Sequence, residues 1–314
     1  MKTPRSYAWR SRQRPVPLDE IVTLIRYNDA EIRNKVAIKR YFGALDPTRQ
    51  RLLSEKSVSP RSLPVMLVCA AWVIATAATP DTPRDRLRVI AQEQCLPHWT
   101  TEHDPAPCVS VTLVGKGATA DGFVVLADKK GGAHFLLIPT RTISGIESPD
   151  VRIPGSLNYF ESAWEAREVL SGFVGHDVPR NAVGMAINQV RARSQDQLHI
   201  HISCLRKVVY DTLQAEAGRI GESWSPLSVG DSQYQAIRVM GAQLGSQNPF
   251  ELLADRLPGA KDTMGDFTLL VAGMEFKEGP GFVLLAGNAV PGAELMLDSS
   301  CAVTGPGAGR NSRP

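Results

Sequence analysis

The sequence predicts an α+β fold: an antiparallel sheet flanked by helices, preceded by one apolar segment suited to a membrane. Three observations point there. Short β-rich runs bounded by turn residues recur between residues 122 and 286. Stretches with apolar residues at helical spacing fall between them. Residues 63–79 read LPVMLVCAAWVIATAAT, with no charge from 63 to 78. The chain has 314 residues, 43% hydrophobic and 21% charged, which excludes a disordered or disulfide-dense mini-protein and allows a sizeable core.

Residues 1–62 are a basic extension. Residues 1–61 carry 14 Lys+Arg against 6 Asp+Glu, whereas the remainder carries 21 against 26. The bulk of the chain is therefore mildly acidic, which argues against a nucleic-acid binder held by phosphate charge. Residues 19–43 show helical spacing but are too few for a robust core of their own.

The segment 63–79 lies between two templates. A spanning helix wants about 20 apolar residues with about 17 as the lower limit, and a secretory apolar region runs about 7–15. Arg61 and the basic stretch before it place the N-terminus in the cytoplasm for a single-pass anchor. Ala75-Thr76-Ala77 fits a signal cleavage site, and a buried core helix is the third reading. Anchor and signal both export the domain at 80–303. The expected location is then the outer side of the inner membrane.

Cysteine usage agrees with export. Cys69 lies inside the apolar segment, leaving Cys95, Cys108, Cys204 and Cys301. An even set in an exported domain favours disulfides. Four cysteines allow three connectivities; Cys95 and Cys108 flank an expected loop over 96–107 and are expected to pair, leaving Cys204 with Cys301, and reduced, buried thiols are the alternative.

Residues 80–90 read as a linker running into a helix that ends near Gln94. Residues 122–128 (GFVVLAD) and 134–138 (HFLLI) form a hairpin across Lys129-Lys130-Gly131-Gly132. Residues 159–173 predict a helix, 182–188 and 198–204 two strands, 208–220 a long helix, and 267–272 with 281–286 a second hairpin. Residues 111–128 and 268–287 echo one another. Two independent apolar hairpins or an internal duplication would produce that. Residues 304–314 are a Gly- and Pro-rich tail expected to be disordered. Neither that tail nor Gly115-Lys116-Gly117 has the spacing of a phosphate loop.

The chemistry concentrates in residues 197–203 (QLHIHIS). On a strand, Gln197, His199, His201 and Ser203 share one face and Leu198, Ile200 and Ile202 the other. His199 and His201 then stand about 7 Å apart on a polar face. Arg191, Arg193, Ser194 and Gln195 precede them with donors suited to phosphate oxygens. A His-x-His zinc site needs a third ligand, and His98, His103, His134 and His176 form no ligand-like cluster in the sequence. A two-histidine phosphoesterase would need His98-Trp99-Thr100 as its second half. The remaining reading is nucleophilic: neutral imidazole attacks phosphorus and splits one displacement into two easier ones.

This strand resembles the histidine-triad motif His-φ-His-φ-His-φ-φ of nucleotide hydrolases and transferases. His199 matches the middle, nucleophilic position, His201 the third, and Gln197 replaces the first. Residues 135–149 (FLLIPTRTISGIESP), 158–167 (NYFESAWEAR), 178–188 (VPRNAVGMAIN) and 194–204 (SQDQLHIHISC) resemble CDP-diacylglycerol pyrophosphatase, a membrane-anchored relative of the triad proteins. The resemblance implies a HIT-like sheet and hydrolysis of CDP-diacylglycerol to CMP and phosphatidate, with no metal or cofactor. It implies His199 as nucleophile, His201, Gln197 and Ser194 on the phosphoryl oxygens, and Gln195 and Asn188 on the nucleotide. Transfer of CMP to an acceptor other than water is the alternative enzyme, and a decayed nucleotide- or lipid-binding module the non-enzyme. Triad proteins are often dimers; a duplicated hairpin would let one chain supply both halves.

Overall fold

The β-rich runs and helical stretches assemble as one sheet with helices on both faces. The computed structural model describes residues 84–115 and 121–305. The basic extension, the apolar segment 63–79 and the tail beyond 305 lie outside the described residues. Among the described residues no helix is long and apolar enough to cross a membrane.

The strands are β1 (Ser110–Val114), β2 (Asp121–Ala127), β3 (His134–Pro139), β4 (Val183–Ile187), β5 (Ile200–Leu205), β6 (Ser225–Val229), β7 (Ser232–Met240), β8 (Phe267–Phe276), β9 (Gly279–Asn288) and the short β10 (Leu297–Asp298). Their order is β1-β2-β3-β5-β4-β8-β9-β7-β6, all antiparallel, with β10 added to β5. The helices are α1 (Arg86–Val89), α2 (Leu96–Glu102), α3 (Tyr159–Ala166), α4 (Glu168–Val174), α5 (Lys207–Glu216) and α6 (Pro249–Arg256).

Both predicted hairpins form. In the β2–β3 turn Gly131 and Gly132 take φ of 76° and 77°, which side chains resist, and Asp128 Oδ1 accepts the Lys130 N–H at 2.7 Å. The helix expected over 159–173 is two. Arg167 Nη1 donates to the Trp164 carbonyl at 2.6 Å, and the backbone bonds around Arg167 tighten to three-residue spacing, so the axis breaks there. The loop expected over 96–107 is helical in its first half. A π-helical stretch, Ile90–Cys95, joins α1 to α2, and Pro97 sits near the start of α2. The sequence reading missed β6, β7 and α6. α6 starts at Pro249 with Asn248 Oδ1 accepting the Phe250 N–H at 3.0 Å.

The strand order reveals a duplication. With the edge strand β1 left aside, β2-β3-β5-β4 read inward meets β6-β7-β9-β8, and β4 pairs antiparallel with β8 at the junction. Each half runs strand, strand, helix, strand, strand, with α3 and α6 in matching places. The echo between 111–128 and 268–287 falls on β1–β2 and β8–β9, which are not matching positions. The repeat lies in the topology, in a different register from the sequence echo.

Leu198, Ile200, Ile202 and Cys204 face the main core, with Trp164, Phe160 and Phe250 from α3 and α6. The opposite face holds two smaller clusters. One joins α1 and α2 to Val111, Val124, Leu136 and Ile138. The other joins Val209 and Leu213 of α5 to Ala186, Leu270, Val283 and Leu285.

Both expected disulfides are present, Cys95–Cys108 and Cys204–Cys301. The second closes a separation of 97 residues and ties the end of β5 to the segment carrying β10. Replacing Cys204 and Cys301 by serine is expected to lower stability by about 2–5 kcal/mol, measured by urea unfolding. An unchanged midpoint would show that β10 holds the C-terminal segment without help.

Candidate active site

β5 is paired on both sides, and opposed residues of neighbouring strands share a face. His134 of β3 and Gly184 of β4 flank Ser203, while Leu136 and Ala186 flank His201. The polar face read from the sequence therefore exists, and it lies at the seam between the two smaller apolar clusters. It is buried: His134, His199, His201, Ser203 and Gln197 are all enclosed.

His199 stands one residue before β5. Its Nδ1 is 2.7 Å from the carbonyl oxygen of Gln197. A carbonyl only accepts, so Nδ1 carries the hydrogen and Nε2 holds an unshared lone pair. His201 packs against it with ring centroids 5.0 Å apart. The Nδ1 of His201 is 2.9 Å from Nε2 of His134. Its own Nε2 lies 3.3 Å from Glu294 Oε2, out of line for a hydrogen bond, and has no other partner. Burial pushes all three imidazoles below their ordinary value near 6.5, and His201 furthest because His199 and His134 oppose a second charge beside them. Burial thus favours the neutral form of each, the form an attacking imidazole needs.

Gln197 is placed differently from its expected role. Its amide nitrogen donates to the carbonyls of Pro139 at 3.1 Å and Arg141 at 2.8 Å, so both hydrogens are committed. The one free atom, Oε1, is a buried acceptor and repels rather than holds a phosphoryl oxygen. Gln197 instead braces the end of β3 against the loop that presents His199.

Asn188 is buried and accepts the Glu294 N–H on Oδ1 at 3.2 Å. Gln195 accepts the Leu87 N–H on Oε1 at 3.1 Å and donates to the Ser194 carbonyl, which fastens the loop to α1. Ser194 is exposed. Arg193 is committed to carboxylates: Nη1 meets Glu147 Oε2 at 2.6 Å, and Nη2 meets Asp196 Oδ1 at 3.1 Å. Asp196 also binds Arg84 at 2.6 Å, which is the main reason its carboxyl falls to about 2. Arg191 is exposed, 3.7 Å from Asp266. Arg193 and Arg84 brace the loop, whereas Arg191 lies on the surface beside Asp266.

The sequence reading set His134 aside and did not consider Glu294. His134 opens a predicted strand, and only the β3–β5 register brings it to His201. Glu294 lies in the 3-10 turn Ala293–Met296, where no periodic pattern marks it. His98 is exposed on α2 with Nδ1 2.7 Å from the Ala106 carbonyl, so it supplies no second half for a two-histidine phosphoesterase.

Donor atoms of Asp128, His134 and His201 lie within 4.8 Å of one another, a spacing that invites comparison with a metal site. Two imidazole nitrogens on a tetrahedral zinc sit about 3.3 Å apart, given bond lengths of about 2.0–2.1 Å. His134 and His201 at 2.9 Å share a hydrogen instead, and a metal would have to open that bond.

A family model for CDP-diacylglycerol pyrophosphatase matches residues 82–305. The CDP-diacylglycerol pyrophosphatase of Yersinia pestis is 38% identical over 250 residues, covering 77% of this chain and 93% of that protein.

The burial makes a testable statement about acid. A neutral buried imidazole binds fewer protons than the unfolded chain once pH falls below about 6.5. Folding stability is therefore expected to be full above that pH and to decline as pH drops toward the lowered native values. Nitrogen-15 spectra should show His199 and His201 neutral at pH 6.5. A half-protonated His199 at that pH would refute the enclosed site.

Proposed function

The chain belongs to the CDP-diacylglycerol pyrophosphatase family, and from that membership we propose that it hydrolyses CDP-diacylglycerol to CMP and phosphatidate with His199 as nucleophile. The observation that carries the mechanism is the 2.7 Å contact between His199 Nδ1 and the Gln197 carbonyl. It fixes the tautomer, aims the Nε2 lone pair away from the backbone, and stabilises the positive charge that the ring acquires on attack.

Nε2 of His199 attacks the phosphorus bonded to cytidine. A phosphorus–nitrogen bond forms as the bond to the bridging oxygen breaks, and phosphatidate leaves with that oxygen and its electron pair. Water then attacks the same phosphorus, the phosphorus–nitrogen bond breaks, and CMP departs while the water's proton passes to solvent. His201 Nε2, buried and without an in-line acceptor, is the donor placed to stabilise the phosphoryl oxygens. Ser194 and Gln195, on the loop before His199, are assigned to the nucleotide, and Asn188 holds the Glu294 turn.

A lipid-linked substrate accounts for an apolar segment before the catalytic domain. We place the domain outside the cytoplasmic membrane, held by residues 63–79. The two disulfides support an oxidising compartment, and the basic residues before 63 favour a cytoplasmic N-terminus. Reporter fusions after residues 60 and 90 test this. A cytoplasmic signal at 90 would overturn it, and a mature protein beginning near Ala78 would keep the location without the anchor.

His199→Ala is expected to leave less than about a hundredth of wild-type turnover with the fold intact. Denaturing digestion after brief exposure to substrate should recover CMP on His199. Activity should survive EDTA, since the imidazole supplies the nucleophile itself. Loss on chelation, restored by zinc, would move His134 and His201 to a metal site. New CMP esters formed with added alcohols would shift the balance from hydrolase to transferase.

A further inference from the structure

We propose that Glu294 is a positioning residue for this reaction: its carboxylate holds His201 in the tautomer that carries hydrogen on Nε2, ready for a phosphoryl oxygen. The proposal rests on the function argued above and assigns a role within the same site.

Glu294 Oε2 is 3.3 Å from His201 Nε2, near enough to attract an N–H and too far out of line to consume it. The opposite tautomer would set a lone pair against a carboxylate and against the incoming phosphoryl group. His134 completes the same arrangement. With hydrogen on Nε2 of His201, Nδ1 is an acceptor, and Nε2 of His134 donates to it at 2.9 Å. This assignment satisfies Nδ1 through His134 and leaves the Nε2 hydrogen beside the Glu294 carboxylate for a phosphoryl oxygen. Lys130 Nζ lies 3.5 Å from Glu294 Oε2 and offsets its charge toward an anionic substrate.

The turn is held as a working part would be. Asn188 Oδ1 accepts the Glu294 N–H. Thr268 Oγ1 accepts the Ala293 N–H at 2.6 Å and donates to the Ile187 carbonyl at 3.0 Å. Gly292 lies so close to Asn188 that a Cβ there would meet Oδ1 at 2.6 Å. Beyond the turn, β10 pairs with β5 and Cys301 is bonded to Cys204. The C-terminal segment thereby brings a carboxylate to a histidine 93 positions earlier in the chain.

Glu294→Gln in the full chain keeps the side-chain shape and removes the charge. It is expected to lower kcat about ten- to a hundredfold with KM within about twofold. In nitrogen-15 spectra His201 should change from the Nε2–H form to a mixture of tautomers, and Glu294→Asp should restore part of both. Melting curves check that the variants fold. A Gln variant with wild-type kcat, or one that loses activity while His201 keeps its tautomer, would overturn the proposal. If the wild-type protein does not cleave CDP-diacylglycerol, the functional reading fails, while the spectra still judge the link between Glu294 and His201.

Discussion

The pairing of β5 on both of its edges is the constraint from which the site follows. β3 and β10 line one edge and β4 the other, so a register slip of one residue would send His201 into the main core and Ile202 into the site. The apolar set Leu198, Ile200, Ile202 and Cys204, packed on α3 and α6, makes such a slip costly. That burial fixes which face carries the imidazoles. On the opposite face the rings are themselves buried, which favours their neutral form.

Among the described residues, the two topologically matching halves differ at the place of β5. β9 occupies in the second half the place of β5 in the first, between two strands of its own half. Phe282, Val283, Leu284, Leu285 and Ala286 are buried there, and α5 packs over the face that corresponds to the histidine face. The second half builds sheet and core around β8, which borders β4.

Along the loop before His199, charged and polar side chains pair with one another. Arg193 joins Glu147 and Asp196, Arg84 joins Asp196 again, and Gln195 receives the Leu87 amide. The loop before His199 is thus stapled to α1, the first described helix after the apolar segment. The effect on the site is geometric: the loop that carries the Gln197 carbonyl is fastened, and that carbonyl accepts from His199 Nδ1.

Much of this was legible in the sequence, for local reasons. Alternation over 197–203 marked both faces of the strand, turn glycines marked the β2–β3 hairpin, and cysteine spacing predicted both disulfides, because each depends on residues near in sequence or on simple pairing. What the sequence did not disclose depends on register and return paths. His134 reaches His201 only through strand pairing, and Glu294 only through a turn fixed by Asn188, Thr268 and β10. Gln197 changed role because its donors found the carbonyls of Pro139 and Arg141, 58 and 56 positions away. The repeat of the sheet surfaced only in strand order. Local pattern decides which face of a strand is polar; the packed sheet decides which distant groups meet there and which hydrogen bonds remain for a substrate.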